Sequence, residues 1–153
     1  MTRHADPALE AALPGRVSGL QLTKYSLLPA DFVTPESEQQ FADLLRTLGS
    51  TADDVTFAAA VDASGELSGS ISALRVAGVA ADGLLDALLA IEAQRGNPPT
   101  LEVLVVGQRQ VTRATYQFEA GTVQVYFHAV DDTVITVTSS DEAIAGRFLE
   151  ALP

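Results

Sequence analysis

The chain has 153 residues, with 20 acidic against 9 basic side chains, a formal charge of -11 and no cysteine. A charge this negative speaks against direct binding of DNA or RNA, and the missing cysteine removes disulfides, thiol nucleophiles and metal–thiolate sites together. At 47% hydrophobic and 19% charged, the chain is too apolar for a disordered acidic tail and long enough for one domain that buries roughly 70% of its unfolded surface.

Residues 1–15 read as a peripheral N-terminal segment, with Pro7 to Leu13 good for one or two helical turns, and 16–153 as a single α+β domain. Leu20 to Leu28 partly alternates apolar and polar residues, as a strand does, until Pro29 stops it. Thr34-Pro35 is a helix start, and Phe41, Leu44, Leu45 and Leu48 then recur at helical spacing up to Gly49. Val55, Phe57, Ala59 and Val61 alternate as a strand that returns through the loop Ala63 to Gly69 into Ser70 to Ala77. The longest helix is predicted from Ala80 to Arg95, with Leu84, Leu85, Leu88, Leu89 and Ile91 on one side. Beyond Gly96-Asn97-Pro98-Pro99 come four strands, Leu101 to Val106, Arg109 to Phe118, Thr122 to Val130 and Thr133 to Ser139. Gly107-Gln108, Glu119-Ala120-Gly121 and Asp131-Asp132 form their turns. Ser139 and Glu142 have capping-box spacing ahead of a last helix. The order matches a ferredoxin-like βαββαβ start extended by an antiparallel meander and a C-terminal helix. Ala60-Val61-Asp62 and Ala129-Val130-Asp131 also echo one another, as if a ββα unit were used twice.

Leu13-Pro14 followed by Val17-Ser18-Gly19-Leu20, then Asp53-Asp54-Val55, Ala73-Leu74-Arg75-Val76-Ala77-Gly78 and the final Leu152-Pro153, resemble uncharacterised small domains of high-GC bacteria. Some of those are secreted or lipoprotein-like; the resemblance implies no activity, ligand or site. No apolar run reaches the roughly 18 residues of a spanning helix, and Met1 to Pro14 lacks the apolar stretch of a secretory signal. The expected compartment is the cytoplasm, or an extracytoplasmic one where a leader has been removed.

Phosphate-loop, dinucleotide, zinc-protease, nucleophile-elbow and calcium-loop motifs are all absent from the sequence. His128, three residues before Asp131, is the one residue through which catalysis could run, and a plain strand histidine is the alternative. Asp53-Asp54 lies in a stretch, 31–66, with eight carboxylates against one arginine, yet matches no cation loop; Arg109 and Arg113 make a minor basic spot. No catalytic residue, metal or cofactor is assigned.

With those turns, Tyr116, Phe118, Tyr126, His128, Ile135 and Val137 share one face of the meander, and Val111, Val123, Val125, Phe127, Ala129 and Val134 the other. Both faces are apolar, so each needs a cover: helices divided between them, a second copy or another protein, or a small hydrophobic ligand. The expectation is a non-enzymatic module that associates, chiefly with itself, through the face of Tyr116, Phe118, Tyr126 and His128. The alternative is a carrier with a pocket between that sheet face and the helix of Leu84 to Ile91.

Overall fold

A computed structural model describes residues 3–153 apart from position 95. In chain order the elements are α1 (Pro7–Glu10), β1 (Arg16–Val17), β2 (Leu20–Gln21), β3 (Thr23–Leu27), α2 (Pro29–Phe32), α3 (Glu38–Leu48), β4 (Val55–Val61), β5 (Ser70–Val76) and α4 (Ala81–Ala93). They continue with β6 (Thr100–Val106), β7 (Arg109–Phe118), β8 (Gly121–Val130), β9 (Thr133–Ser139) and α5 (Glu142–Glu150). The chain is α+β, as expected, and none of its described helices is long and apolar enough to cross a membrane. The end of the longest predicted helix, Arg95, lies outside the described residues.

Seven strands form one sheet in the order β3-β4-β5-β9-β8-β7-β6, and every neighbouring pair is antiparallel. This corrects the ferredoxin-like expectation. A split βαβ unit joins two parallel strands through a helix and leaves room for a third between them. Here β3 and β4, the strands that flank α2 and α3, are adjacent and antiparallel. The sheet instead consists of the β3–β4–β5 unit and the meander β6–β9, whose last strand turns back to pair with β5.

Helices cover both faces, giving three layers. One face packs α1, the small β1–β2 hairpin and α5 over Ala58, Ala73, Tyr126, Ile135 and Val137. The other packs α2, α3 and α4 over Val55, Val76, Val134 and Phe127. Leu84 and Leu85 of α4 are buried, a gain of roughly 1.5–3 kcal/mol for each. The N-terminal segment expected to be peripheral supplies Leu9 and Leu13 to the core, each 1% exposed. A four-residue helix starting at Pro7, capped by the Asp6 carboxylate on the Leu9 N–H at 3.0 Å, is too short to show periodicity in the sequence.

Helix α3 starts at Glu38, later than Thr34-Pro35 suggests, because Thr34 and Ser37 close a turn on each other first. Helix α5 takes Asp141 as its cap, its carboxylate accepting the Ala143 N–H at 2.8 Å, in place of Ser139. The turn Gly107-Gln108 has positive φ at both residues, as a two-residue hairpin requires. It also presses on α5: a Cβ at Gly107 would lie 2.5 Å from the Gly146 carbonyl oxygen. The ββα echo does not extend to the tertiary structure, since α4 and α5 follow hairpins of similar sequence but pack on opposite faces.

Candidate functional site

The register divides the six aromatic and aliphatic residues expected to share one face. Phe118 pairs with Gly121, so the β7–β8 turn has two residues, Glu119 and Ala120, where three were expected. A shift of one residue exchanges every side chain between faces. Tyr116 and Phe118 therefore stand on the α4 side, stacked on each other at 6.1 Å, while Tyr126, His128, Ile135 and Val137 stand on the α5 side. For the same reason Val111 belongs with Tyr126 rather than with Phe127.

Tyr126, Ile135 and Val137 are core residues beneath Phe148 and Leu149 of α5 and are closed to any partner. The Tyr126 hydroxyl donates to Gln124 Oε1 at 2.7 Å. Burial pushes its pKa up, with the neighbouring Arg113 guanidinium acting in the opposite direction. His128 is half-buried, with Nδ1 at 3.0 Å from the Gln110 carbonyl oxygen; because a carbonyl only accepts, the ring nitrogen must donate. Arg109 bonds the Leu152 carbonyl at 3.1 Å, and Arg113 bridges Glu102 at 2.5 Å and Glu142 at 2.8 Å. The two arginines anticipated as a basic spot thus serve internal contacts. Asp54 accepts the Thr51 N–H at 3.3 Å in the turn before β4, and no cluster of three or more possible metal ligands exists among the described residues.

Strand β6 carries three exposed apolar side chains. It is the last strand of the sheet, and Leu101, Val103 and Val105 point to the α4 side at 46%, 64% and 71% exposure. Phe118, at 51%, and Val123 continue the patch across β7 and β8, beyond the reach of α4. The single charged residue of β6, Glu102, points to the opposite side and is held by Arg113. An outer strand is ordinarily guarded by charge, proline, a bulge or a cover. Within Thr100–Val106 there is no proline and no unpaired charge.

The second feature is a cavity of about 400 Å³ between α2, α3, α4 and the sheet. Four of the six phenylalanines of the chain line it, Phe32, Phe41, Phe57 and Phe127, and all four are only half-buried. Phe32 stands 5.5 Å from Phe57 and 6.1 Å from Phe41 between ring centres. The floor carries two hydroxyl residues among Phe57, Leu74 and Phe127: Ser72 of β5 and Thr136 of β9 lie directly opposite each other. Glu92 of α4 also lines the cavity, and its Oε2 accepts the Tyr116 hydroxyl at 2.9 Å. A pocket between the sheet and the Leu84–Ile91 helix was expected, but on the face of Tyr126; it lies on the other side.

A polar network near the N-terminus joins residues that no sequence motif links. Ser26, fully buried, donates to Glu10 Oε2 at 2.5 Å, and His4 Nδ1 sits 2.8 Å from Glu10 Oε1. Asp6 pairs with Arg75 and accepts the Thr56 hydroxyl at 2.8 Å. Burial works against ionisation of both carboxylates, but their hydrogen bonds and neighbouring cations prevail and hold both pKa values below the ordinary range. This is not a nucleophile triad, because the carboxylate lies between hydroxyl and imidazole, where a base would have to lie. No protein-family model matches the chain, and no curated protein does.

Proposed function

We propose that the protein is a non-enzymatic association module that pairs with a second copy of itself through β6. The observation that carries this reading is the bare, apolar edge strand with its one charge neutralised inside the chain. A strand pairs antiparallel with its own copy about a two-fold axis, and Val103, the central residue of Thr100–Val106, lies nearest that axis. Both copies then present their α4 sides together, and Leu101, Val103, Val105 and Phe118 of each join into one apolar band. Backbone pairing supplies the hydrogen bonds and the band supplies the apolar contact. Phe118, stacked on Tyr116, is the exposed part of the predicted aromatic face and joins this band. Light scattering coupled to size exclusion tests the reading: a dimer at micromolar concentration that Val103→Lys/Val105→Lys converts to monomer supports it, and a wild-type monomer throughout overturns it.

A second reading, a carrier of a small hydrophobic ligand, is favoured by the phenylalanine-lined cavity. Displacement of a neutral fluorophore such as N-phenyl-1-naphthylamine by aliphatic compounds tests it, and absence of any binding overturns it.

A further inference from the structure

Strands β5 and β9 are the centre of the sheet, and a central position under helices is ordinarily aliphatic. On the α4 side that holds for Leu74, opposite Val134, but one step further along the strands the pair is Ser72–Thr136, and at the strand ends Ser70–Thr138. Hydroxyl groups thus continue from the cavity floor toward the outside. Neither Ser72 nor Thr136 has a side-chain hydrogen bond to another described residue, and both line the cavity. Each can donate and accept. Around them stand Phe41, Phe57 and Phe127, and among the described residues the only charged side chain lining the cavity is Glu92.

From this arrangement we infer that the cavity binds a neutral aliphatic or aromatic molecule bearing a hydroxyl or carbonyl head, which sits on Ser72 and Thr136 while its apolar body lies among the phenylalanines. The inference rests on the carrier reading and adds the chemical class of the ligand. A carboxylate head is disfavoured: two neutral hydroxyls do not offset its desolvation, and the chain as a whole carries -11. A hydrocarbon without a head leaves the two hydroxyls dry and unpaired.

The test is displacement of N-phenyl-1-naphthylamine from the full chain at pH 7 by 1-decanol and by decanoate, repeated with Ser72→Ala/Thr136→Val and with Leu88→Trp, each variant first checked for a cooperative thermal transition. The expected result is that decanol competes about tenfold better than decanoate, that the double variant weakens decanol by about tenfold while fluorophore binding persists, and that Leu88→Trp, which fills the cavity, abolishes binding of both. Equal competition by decanol and decanoate, or an unchanged decanol affinity in the double variant, overturns the neutral-head inference and leaves the carrier reading standing. Failure of the fluorophore and both competitors to bind overturns both. Binding that survives Leu88→Trp places the site elsewhere and overturns the inference as well.

Discussion

At one side of the sheet, β3 meets residues 3–5, which run alongside it: the Ser26 N–H bonds the Arg3 carbonyl at 2.9 Å and the Ala5 N–H bonds the Ser26 carbonyl at 3.2 Å. Lys24 of the same strand reaches the Leu13 carbonyl at 2.6 Å, and the Asp6 N–H bonds the Ser26 hydroxyl at 2.7 Å. At the other side, β6 has β7 on its inner flank and, among the described residues, no strand on its outer one. The chain therefore closes one edge with residues 3–5, secured by the buried Glu10 and half-buried Asp6 carboxylates, and leaves the other open with valines on it. Closing an edge is within the means of this fold, so the open one distinguishes the surface available for pairing from the surface withheld.

The comparison can be broken most forcefully at the closed edge. Leu9→Ala removes a fully buried side chain under the N-terminal cover and is expected to cost about 2–5 kcal/mol, read by thermal or urea unfolding. Glu10→Ala takes away the acceptor for the buried Ser26 hydroxyl and should cost about 1–3 kcal/mol, with faster hydrogen exchange at the Ser26 amide.

Acid acts on the same place. The folded pKa values of Asp6 and Glu10 are depressed, so their contribution is fully present above the ordinary carboxylate range and is lost as pH falls through the folded values. Stability should therefore decline on acidification below the ordinary carboxylate pKa. The decline should be shallower in an Asp6→Asn/Glu10→Gln variant, as measured by unfolding at a series of pH values.

The open edge should behave in the opposite way. Val103→Lys/Val105→Lys changes exposed positions and is expected to leave monomer stability within about 0.5 kcal/mol while abolishing the dimer. Glu102→Gln should have the smallest effect, leaving assembly intact and stability within about 0.5 kcal/mol, because Arg113 keeps Glu142.

Much of the architecture could be read from the chain where local chemistry decides it. Gly107-Gln108 and Asp131-Asp132 each mark a two-residue turn, and the leucines of α4 mark a buried helix face. The division of aromatic residues between faces failed at one residue, Gly121, which enters β8 instead of the turn and reverses the sides of Tyr116 and Phe118. Two parts of the candidate site depend on partners distant in sequence, and spacing cannot reveal those. Val103 is exposed because the sheet ends at β6, and Ser72 meets Thr136 because β9 returns to β5. The polar cluster of Ser26, Glu10 and His4 is of the same kind, a contact between segments that no motif links.

The pairing of residues 70–75 with 133–138 has a kinetic consequence. The meander β6–β9 closes through three short hairpins, each formed from neighbouring chain, whereas the β5–β9 seam must bring together segments separated by α4 and three strands. Local contacts form early and distant ones late, so the meander is expected to assemble as one half and to await the other. Ser72 and Thr136 sit on that seam, one contributed by each half. A molecule held between them ties together the two parts of the sheet that meet last in folding, and its departure would loosen the junction between them before it loosens any hairpin.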